Sequence, residues 1–355
     1  MTKQSRISEI GESGLIERIR AIVPLRSDDA ATGQHLVKGI GDDTAVFRPI
    51  PGRLILLTTD SFIEGVHFDL TFTSFQHLGW KAMAANLSDI ASMGGTPRYA
   101  TVAISIPQKI SVEMIEEFYR GAALACQKYS CLIVGGDTTA STGNVSITVT
   151  LTGDAEESGI IYRNGAQPGD LLCVSGHLGA SHAGLRVLHR EKERFLGAGE
   201  PQDFQPNLAP YTLALEKHLV PKPRFDIASL LANENRAHAM IDISDGLASE
   251  VHRLCEASGT GASVYEHNLP LDSVTQHIAG EFSESPSNYA LYGGEEYELL
   301  FVVDDASFER IEKITSDVTI IGRVTKKDAG VCLVRENGET EMLVAGGWDH
   351  FAQKK

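Results

Sequence analysis

The sequence predicts a two-domain α/β protein with mixed (α+β) sheets. Its 355 residues suit two domains of ordinary size. In the first half, apolar strand-like runs and helices follow the order strand, helix, strand, helix, strand, strand, which favours a mixed sheet. Turn residues replace apolar ones between Asp154 and Asp170. We therefore expect one domain over residues 1–155 and a second over residues 165–355.

Composition and charge exclude several classes of protein. Hydrophobic residues make up 42% of the chain and charged residues 22%, as in globular proteins. The net charge of −16 and the lack of a basic patch argue against nucleic acid or an anionic membrane as a partner. The five cysteines match no zinc spacing, and the sequence shows neither a signal peptide nor an apolar run of the roughly 18 residues that span a membrane. We expect reduced cysteines and a cytoplasmic protein.

Hydrophobic periodicity assigns the elements of each half. In the first half it predicts helices over residues 1–24, 75–93 and 111–128, strands over 54–60, 99–106, 132–134 and 145–151, and a loop over 28–33. In the second half it predicts strands over 171–174, 239–243, 299–303, 318–324 and 331–334, helices after 179, from about 211, over 226–233 and over 247–258, and a loop over 197–210.

The helix predicted over residues 75–93 carries an acid where an acid is costly. Thr73 and Gln76 have the spacing of a capping box at its start, and Gly94-Gly95 ends it. Apolar residues surround the helix on nearly all sides, so it should be buried, and a buried carboxylate at Asp89 must be paired. Asp89 either bonds a neighbouring backbone group or a distant arginine, or it binds a metal ion.

Acids recur in the same way at the ends of other apolar or glycine-rich runs. They are Asp42-Asp43 after Gly41, Asp60 after Thr58-Thr59, Asp137 after Gly135-Gly136, and Asp242 and Asp245 in the second half. Acids at strand exits are expected to converge on one edge of a sheet, where carboxylates without basic partners repel each other. A divalent cation removes that repulsion, and oxygen ligands suit Mg²⁺ bound together with substrate phosphates. The sequence therefore predicts a magnesium–phosphate site.

Familiar nucleotide-binding and hydrolase motifs are missing from the sequence. It contains no P-loop Gly-Lys-Ser/Thr, no Gly-x-Gly-x-x-Gly, no His-Glu-x-x-His and no Gly-x-Ser-x-Gly. Nucleotide chemistry in this chain must use another scaffold.

Eight motifs in order resemble those of the thiamine-monophosphate kinase family. They are GIGDD at 39–43, TTD at 58–60, GVHF at 65–68, NLSDIASMGG at 86–95, GGDTT at 135–139, DISDGL at 242–247, GGEEYEL at 293–299 and GWDHF at 347–351. The resemblance implies the two-domain fold of the aminoimidazole-ribonucleotide-synthetase-like superfamily and homodimers formed through the N-terminal domain. It implies an enzyme that uses ATP and Mg²⁺ to convert thiamine monophosphate into thiamine diphosphate, the last step of thiamine diphosphate biosynthesis. A requirement for K⁺ is left open.

The resemblance also assigns roles residue by residue. Mg²⁺ ligands fall on Asp43, Thr58, Thr59, Asp60, Asp89, Asp137, Asp242 and Asp245, of which Asp43, Asp60, Asp89 and Asp137 form the catalytic set. ATP contacts fall on Tyr119, Gly136, Asp137, Arg163 and Ser244. Thiamine-phosphate contacts fall on His67, Glu295 and Trp348. The N-terminal domain would hold metal and ATP, and the C-terminal domain would complete the ATP and substrate sites.

Each assignment has a structural alternative. Asp245 could simply be the N-cap of the helix that follows. His67 could be a packed histidine, Arg163 a surface residue, Glu295 a local cap or ion-pair partner, and Trp348 a C-terminal core anchor. At the level of the whole chain, the alternatives are a sibling ATP-dependent ligase or cyclase acting on a purine intermediate, and a non-catalytic nucleotide- or metal-binding module.

Overall fold

The computed structural model describes residues 5–23, 30–41, 43–197, 205–233 and 236–348, without the side chains of residues 30 and 31. The chain forms two compact units. The first comprises Met1–Ala91 with Gly95–Glu157, and the second comprises Ser92–Gly94 with Ser158–Lys355. The chain thus passes from one unit to the other at residues 157–158, within the turn-rich stretch where the sequence predicts a domain boundary.

A four-stranded mixed sheet forms the core of the first unit, in the strand order β3-β6-β4-β5. Its strands are β3 (Arg53–Ile63), β4 (Thr96–Pro107), β5 (Leu132–Ser141) and β6 (Ser146–Glu156). A short antiparallel pair, β1 (Leu36–Lys38) and β2 (Val46–Phe47), precedes it. β6 is antiparallel to both β3 and β4, and β4 is parallel to β5. All four strands of the predicted sheet are confirmed, each longer than its apolar run.

Two long helices belong to the same unit, α3 (Phe75–Ser92) and α4 (Val112–Tyr129). The prediction that α3 is buried is confirmed, since Leu78, Ala82 and Leu87 are all fully buried. The predicted capping box is wrong by one residue. Ser74, not Thr73, caps the helix, because the Ser74 hydroxyl accepts the backbone N–H of His77 at 3.2 Å.

The N-terminal segment contains α1 (Ile7–Ile22) and α2 (Ala30–His35). Helix α1 confirms the first predicted helix. The loop prediction for residues 28–33 is wrong from residue 30 onward, because tertiary contacts fix that segment, and its first two residues lie outside the described ranges. Thr32 is buried, its hydroxyl accepts from Arg98 Nη1 at 3.0 Å, and its carbonyl accepts from the Tyr99 hydroxyl at 2.8 Å.

The second unit is built on a seven-stranded mixed sheet, in the order β13-β12-β9-β11-β7-β10-β8. The strands are β7 (Leu171–Ser175), β8 (Ala239–Asp242), β9 (Thr260–Tyr265), β10 (Leu299–Val303), β11 (Val318–Lys326), β12 (Val331–Val334) and β13 (Thr340–Met342). The helices are α5 (Ala180–Gly197), α6 (Thr212–Leu219), α7 (Phe225–Ala232), α8 (Leu247–Ser258), α9 (Ser273–Glu281), α10 (Pro286–Tyr292) and α11 (Asp305–Ile311). The predicted strands and helices are confirmed, whereas residues 198–204 of the loop predicted over residues 197–210 lie outside the described residues. Strands β9 and β13 and helices α9, α10 and α11 were not among the predicted elements.

The core of the second unit lies between its sheet and α8. Side chains of β7, β8 and β10 pack with Leu247, Val251 and Leu254 of α8 in one buried cluster. None of the helices in the described ranges combines the length and apolar character that a bilayer crossing needs.

Candidate functional site

The first unit brings together two of the predicted metal ligands. The Thr58 hydroxyl, on β3, donates a hydrogen bond to Asp89 Oδ2, on α3. Thr58 and Asp89 are both half-buried, although the residues that flank Asp89 on its helix are buried. Asp89 therefore meets a hydroxyl on the sheet, and Thr58 and Asp89 form a hard-oxygen pair of the kind that Mg²⁺ accepts.

Asp60 and Thr59 extend this site along β3 in different ways. Asp60 lies two residues after Thr58, so both point to the same face of the strand, and both are half-buried. Thr59 points to the other face, where its hydroxyl donates to the Val149 carbonyl at 3.1 Å and lies 3.0 Å from the Thr150 hydroxyl. Asp60 thus shares a strand face with Thr58, whereas Thr59 bonds within the sheet.

Asp137 lies at the same level of the sheet but on its opposite edge strand. Asp60 pairs with Val149, Val149 with Val102, and Val102 with Gly136, which directly precedes Asp137. Three strand spacings of about 4.8 Å separate the two edges, so about 14 Å lies between β3 and β5. The expectation that these acids converge on one edge is therefore wrong within this unit, because β4 and β6 lie between them.

The glycine turn before Asp43 lies close to a basic side chain. The Arg20 guanidinium approaches Gly41 so closely that an ideal Cβ there would lie 3.2 Å from its central carbon. Asp43 is exposed, and Asp42 lies outside the described residues. Within the ranges that the structure describes, no three His, Cys, Asp or Glu side chains are grouped closely enough to hold a metal ion by themselves. A cation here would need hydroxyl, water or substrate oxygens as well.

His67 is held in one orientation by its own turn. Its Nδ1 lies 3.0 Å from the backbone N–H of Ile63, which can only donate. Nδ1 must therefore be the unprotonated acceptor, so neutral His67 carries its proton on Nε2. The ring also packs at 5.6 Å from Phe62. His67 combines a packed histidine with an Nε2–H group suited to an anion.

The two remaining assignments in this unit differ in accessibility. Gly136 is exposed, and a Cβ there would lie 1.9 Å from the Val102 carbonyl oxygen, so only glycine fits beside β4. Tyr119 lies on the buried face of α4, edge-to-face with Phe118 at 5.2 Å, and burial raises the pKa of its phenol. The packing against β4 thus requires glycine at position 136, whose backbone is accessible, and it gives Tyr119 a core position.

The second unit presents its acids at the end of the edge strand β8. Asp242 is buried at the last position of β8 and pairs with Leu299 of β10. Asp245 follows three residues later, and its Oδ2 accepts from Arg253 Nη2 at 2.6 Å. The N-cap position of α8 is occupied by Gly246, with no side-chain cap. The simple capping role for Asp245 is therefore wrong.

Glu295 and Trp348 both bond to this loop. The Glu295 N–H donates to the Ser244 carbonyl at 2.6 Å, and the Trp348 N–H donates to the Asp245 carbonyl at 3.0 Å. Trp348 as a whole residue is 44% exposed, which suits a stacking surface better than a core anchor. Arg163 is exposed elsewhere in the same unit, and its carbonyl accepts from the Ser258 hydroxyl at 3.4 Å.

A buried ionic network beneath the GGEEYEL motif was missed by sequence reasoning. Glu298 is almost fully buried and accepts hydrogen bonds from Lys217, Arg224 and Ser175 at 2.5–2.6 Å. Burial raises the pKa of its neighbour Glu296 to about 8. The sequence signal for this network was the GGEEYEL motif itself, which contains more acidic residues than a strand on the protein surface requires. Its partners could not be identified, because they lie 74–123 residues away in the sequence.

Two domain families match the chain. The AIR synthase related protein N-terminal domain matches residues 41–155, and the corresponding C-terminal domain matches residues 167–335. Among curated proteins, the chain is 35% identical to the thiamine-monophosphate kinase of Aquifex aeolicus, over 98% of this chain and 100% of that protein. It is 32% identical to the Bacillus subtilis thiamine-monophosphate kinase, over 88% of this chain and 93% of that protein.

Solved structures of thiamine-monophosphate kinases are also similar to the chain. The structure of AaThiL complexed with AMPPCP and TMP is similar with a TM-score of 0.73 and 34% identity, over 99% of this chain and 100% of that one. The thiamine-monophosphate kinase of Stenotrophomonas maltophilia gives a TM-score of 0.76 at 32% identity, over 93% and 98%. The hydrogenase maturation protein HypE in complex with ATP gives 0.69 at 18% identity, over 97% and 94%, which shows a shared fold.

Proposed function

The chain belongs to the thiamine-monophosphate kinase family, and we propose that it transfers the γ-phosphoryl group of ATP to thiamine monophosphate, which yields thiamine diphosphate and ADP. Relatives of this name share a third of their residues with the chain over nearly its whole length. A similar solved structure holds AMPPCP and TMP together. The eight motifs of the resemblance lie in the same chain in the expected order.

The observation that carries the proposal is the Thr58–Asp89 pair with Asp60 beside it. A carboxylate on an otherwise buried helix is costly, and here it accepts a hydrogen bond from the Thr58 hydroxyl, with Asp60 two residues further along the same face of β3. These oxygens are of the kind that Mg²⁺ prefers, and Asp43 is proposed as a further ligand; the cation would neutralise the phosphates of two mutually repelling anions. Asp137, Asp242 and Asp245 are proposed as further ligands.

The chemistry requires alignment more than proton transfer. The acceptor is a phosphate monoester with a second pKa of about 6, so at neutral pH its oxygen is already largely deprotonated. That oxygen attacks the γ-phosphorus in line, the bond from the γ-phosphorus to the bridging oxygen breaks, and ADP leaves with the electron pair. No general base is needed, and the residues proposed here include no nucleophile–base pair.

The other residues bind and orient the two substrates. His67 would donate Nε2–H to the acceptor phosphate. Arg163 would neutralise an ATP phosphate, and the exposed backbone at Gly136 would allow close approach. Trp348 would stack on a ring of the thiamine moiety, a contact with a cationic ring that is worth ~1–2 kcal/mol. Glu295 would face the cationic thiazolium or the aminopyrimidine, and Ser244 would contact ATP.

The proposal includes a homodimer formed through the first unit. On β3, Ile55, Leu57 and Ile63 share the face that carries Thr59, and they are 59%, 71% and 39% exposed. A row of exposed apolar side chains on an edge strand is a surface that a second copy would cover. We also infer a cytoplasmic location, which the five free cysteines support.

A product assay tests the proposed function. Purified protein is incubated with ATP, Mg²⁺ and thiamine monophosphate, and the products are separated by chromatography. We expect thiamine diphosphate and ADP in equal amounts, with no product after chelation by EDTA. Thiamine itself should not be phosphorylated, because its hydroxyl would need a base. Absence of thiamine diphosphate from a folded preparation would overturn the proposal.

A further inference from the structure

Three successive carbonyl groups after strand β8 hold two distant segments of the second unit. The Ile243 carbonyl accepts from the Tyr297 N–H at 2.9 Å, the Ser244 carbonyl from the Glu295 N–H at 2.6 Å, and the Asp245 carbonyl from the Trp348 N–H at 3.0 Å. The loop that contains a candidate metal ligand is therefore also hydrogen-bonded to two of the three candidate thiamine-phosphate contacts, Glu295 and Trp348.

The contacts are tight enough to transmit a shift of the loop. Glu295 adopts a left-handed backbone conformation with φ +63°, which a non-glycine residue keeps only when its surroundings enforce it. At Gly347, directly before Trp348, φ is +143°, and a Cβ would lie 2.3 Å from the Asp245 carbonyl oxygen. The Glu295 segment depends on the Ser244 carbonyl and the Trp348 segment on the Asp245 carbonyl, so a shift of this loop displaces both segments.

The loop itself is fixed by a pair of charged residues on α8. Arg253 donates from Nη2 to Asp245 Oδ2 at 2.6 Å and from Nη1 to both oxygens of Glu250 at 3.0 and 2.9 Å. The Glu250 side chain is fully buried, and its Oε1 also accepts from the Asp245 N–H at 3.1 Å. Asp245 is thus held at its N–H, its carboxylate and its carbonyl. Arg253 bonds Oδ2 and leaves Oδ1 for a cation.

We propose that Arg253, anchored by Glu250, is a positioning residue that holds the Asp245 loop and through it the candidate thiamine-phosphate contacts Glu295 and Trp348. The inference rests on the proposed function and deepens it, since Arg253 then supports the binding of both Mg²⁺ and thiamine monophosphate. Loss of the guanidinium leaves Asp245 and buried Glu250 without their shared partner. The Asp245 loop then shifts, and the binding of Mg²⁺ and the binding of thiamine monophosphate weaken together.

The experiment compares Arg253→Met with Arg253→Lys and with a matched control, Arg335→Met. Arg335 lies in the same unit, is similarly exposed, and forms ion pairs with Glu266 and Glu341 away from the loop. The chain has two tryptophans, so a Trp80→Phe background makes Trp348 the only fluorophore of its type. Its emission and its quenching by acrylamide report the loop without any need for turnover.

We expect Arg253→Met to increase the quenching of Trp348 and to raise the KM for thiamine monophosphate about tenfold, the usual effect of losing one charge-assisted hydrogen bond. The half-saturating Mg²⁺ concentration should rise with it. Arg253→Lys should rescue only in part, because an ammonium group cannot span Asp245 and Glu250 as the guanidinium fork does. Arg335→Met should change neither constant.

Unchanged Trp348 quenching and unchanged KM in folded Arg253→Met would overturn the inference. Equal losses of Tm in both methionine variants, with both constants unchanged, would overturn it too, because the role would then be purely structural. If Arg253→Met does not fold, Arg253→Lys decides by the same two readouts. If the wild type makes no thiamine diphosphate, the proposed function fails, while the quenching of Trp348 still tests the loop.

Discussion

Asp89 is the residue whose charge the proposed chemistry most needs. In Asp89→Asn the amide oxygen can still accept from Thr58, so α3 keeps its contact with β3 while the negative charge is lost. We expect turnover to fall by at least about 100-fold, the cost typical of removing one electrostatic contact to the transition state. The measurement is thiamine diphosphate formation over a range of Mg²⁺ concentrations.

A control variant distinguishes the effect of losing the Asp89 charge from the effect of losing any one acidic residue of the unit. The Glu117 side chain on α4 is 47% exposed and pairs with Arg120 at 2.6 Å, so Glu117→Gln removes one charge from the same unit away from β3. It should retain wild-type turnover. Near-normal activity of Asp89→Asn at limiting Mg²⁺ would show that the Thr58–Asp89 pair is structural.

Glu296 makes the stability of the second unit depend on pH. Burial raises its pKa from 4.5 to about 8, although Lys217 favours the charged form and the Ser181 N–H donates to its Oε1. A raised folded-state pKa means that stability present at low pH is lost as the pH rises. Glu296→Gln cannot ionise, so between pH 4.5 and about 8 the wild type should lose stability relative to it.

Urea unfolding of the wild type and of Glu296→Gln between pH 4.5 and about 8 checks the direction of this stability change. The midpoint difference should move in favour of Glu296→Gln as the pH rises. Exposed Glu312→Gln serves as the control and should follow the wild type. If the urea midpoints of Glu296→Gln and the wild type change in parallel with pH, Glu296 keeps one ionisation state over the whole range.

At the scale of the elements, α3 and α4 are in contact through two glycines. A Cβ on Gly79 would lie 1.9 Å from the Phe118 carbonyl oxygen, and one on Gly121 would lie 1.9 Å from the Gln76 carbonyl oxygen. In Gly79→Ala the methyl group must separate the helices, so we expect a loss of at least about 2 kcal/mol in the free energy of unfolding. Gly280→Ala in α9 meets open space and should gain up to about 1 kcal/mol, as usual for alanine in a helix.

Thermal unfolding of both alanine variants tests this contact. A fall in Tm for Gly79→Ala, with no fall for Gly280→Ala, is the expected result. If Gly79→Ala unfolds like the wild type, the two helices must be able to separate without loss, and α3 would then not hold Asp89 in a fixed place.

The same elements show how far the sequence predicts the structure. Long periodic segments such as α3, α4 and β6 were predicted because their pattern repeats over many residues. The α2 helix was not, because it depends on Arg98 and Tyr99 bonding Thr32 from more than 60 positions away. The link from the Asp245 loop to Trp348 is invisible for the same reason: a main-chain hydrogen bond between distant segments leaves no residue pattern.

In the candidate site, too, the sequence predicts some features and leaves others to the structure. Each acid could be identified from its motif, since an acid at the end of an apolar run is conspicuous by itself. Their arrangement could not be, because strand order decides it. Only the register of β3, β6, β4 and β5 shows that Asp60 and Asp137 lie on opposite edge strands.

At the scale of the whole molecule, the exposed face of β3 predicts self-association. Leu57 is 71% exposed at the centre of that face, and a charge there should oppose burial against a second copy. We expect Leu57→Asp to shift the mass measured by light scattering from dimer to monomer. Leu196→Asp on α5, 67% exposed in the second unit, should leave the mass unchanged. A Leu57→Asp protein that stays dimeric would move the interface away from β3, and a monomeric wild type would remove the homodimer from the proposal.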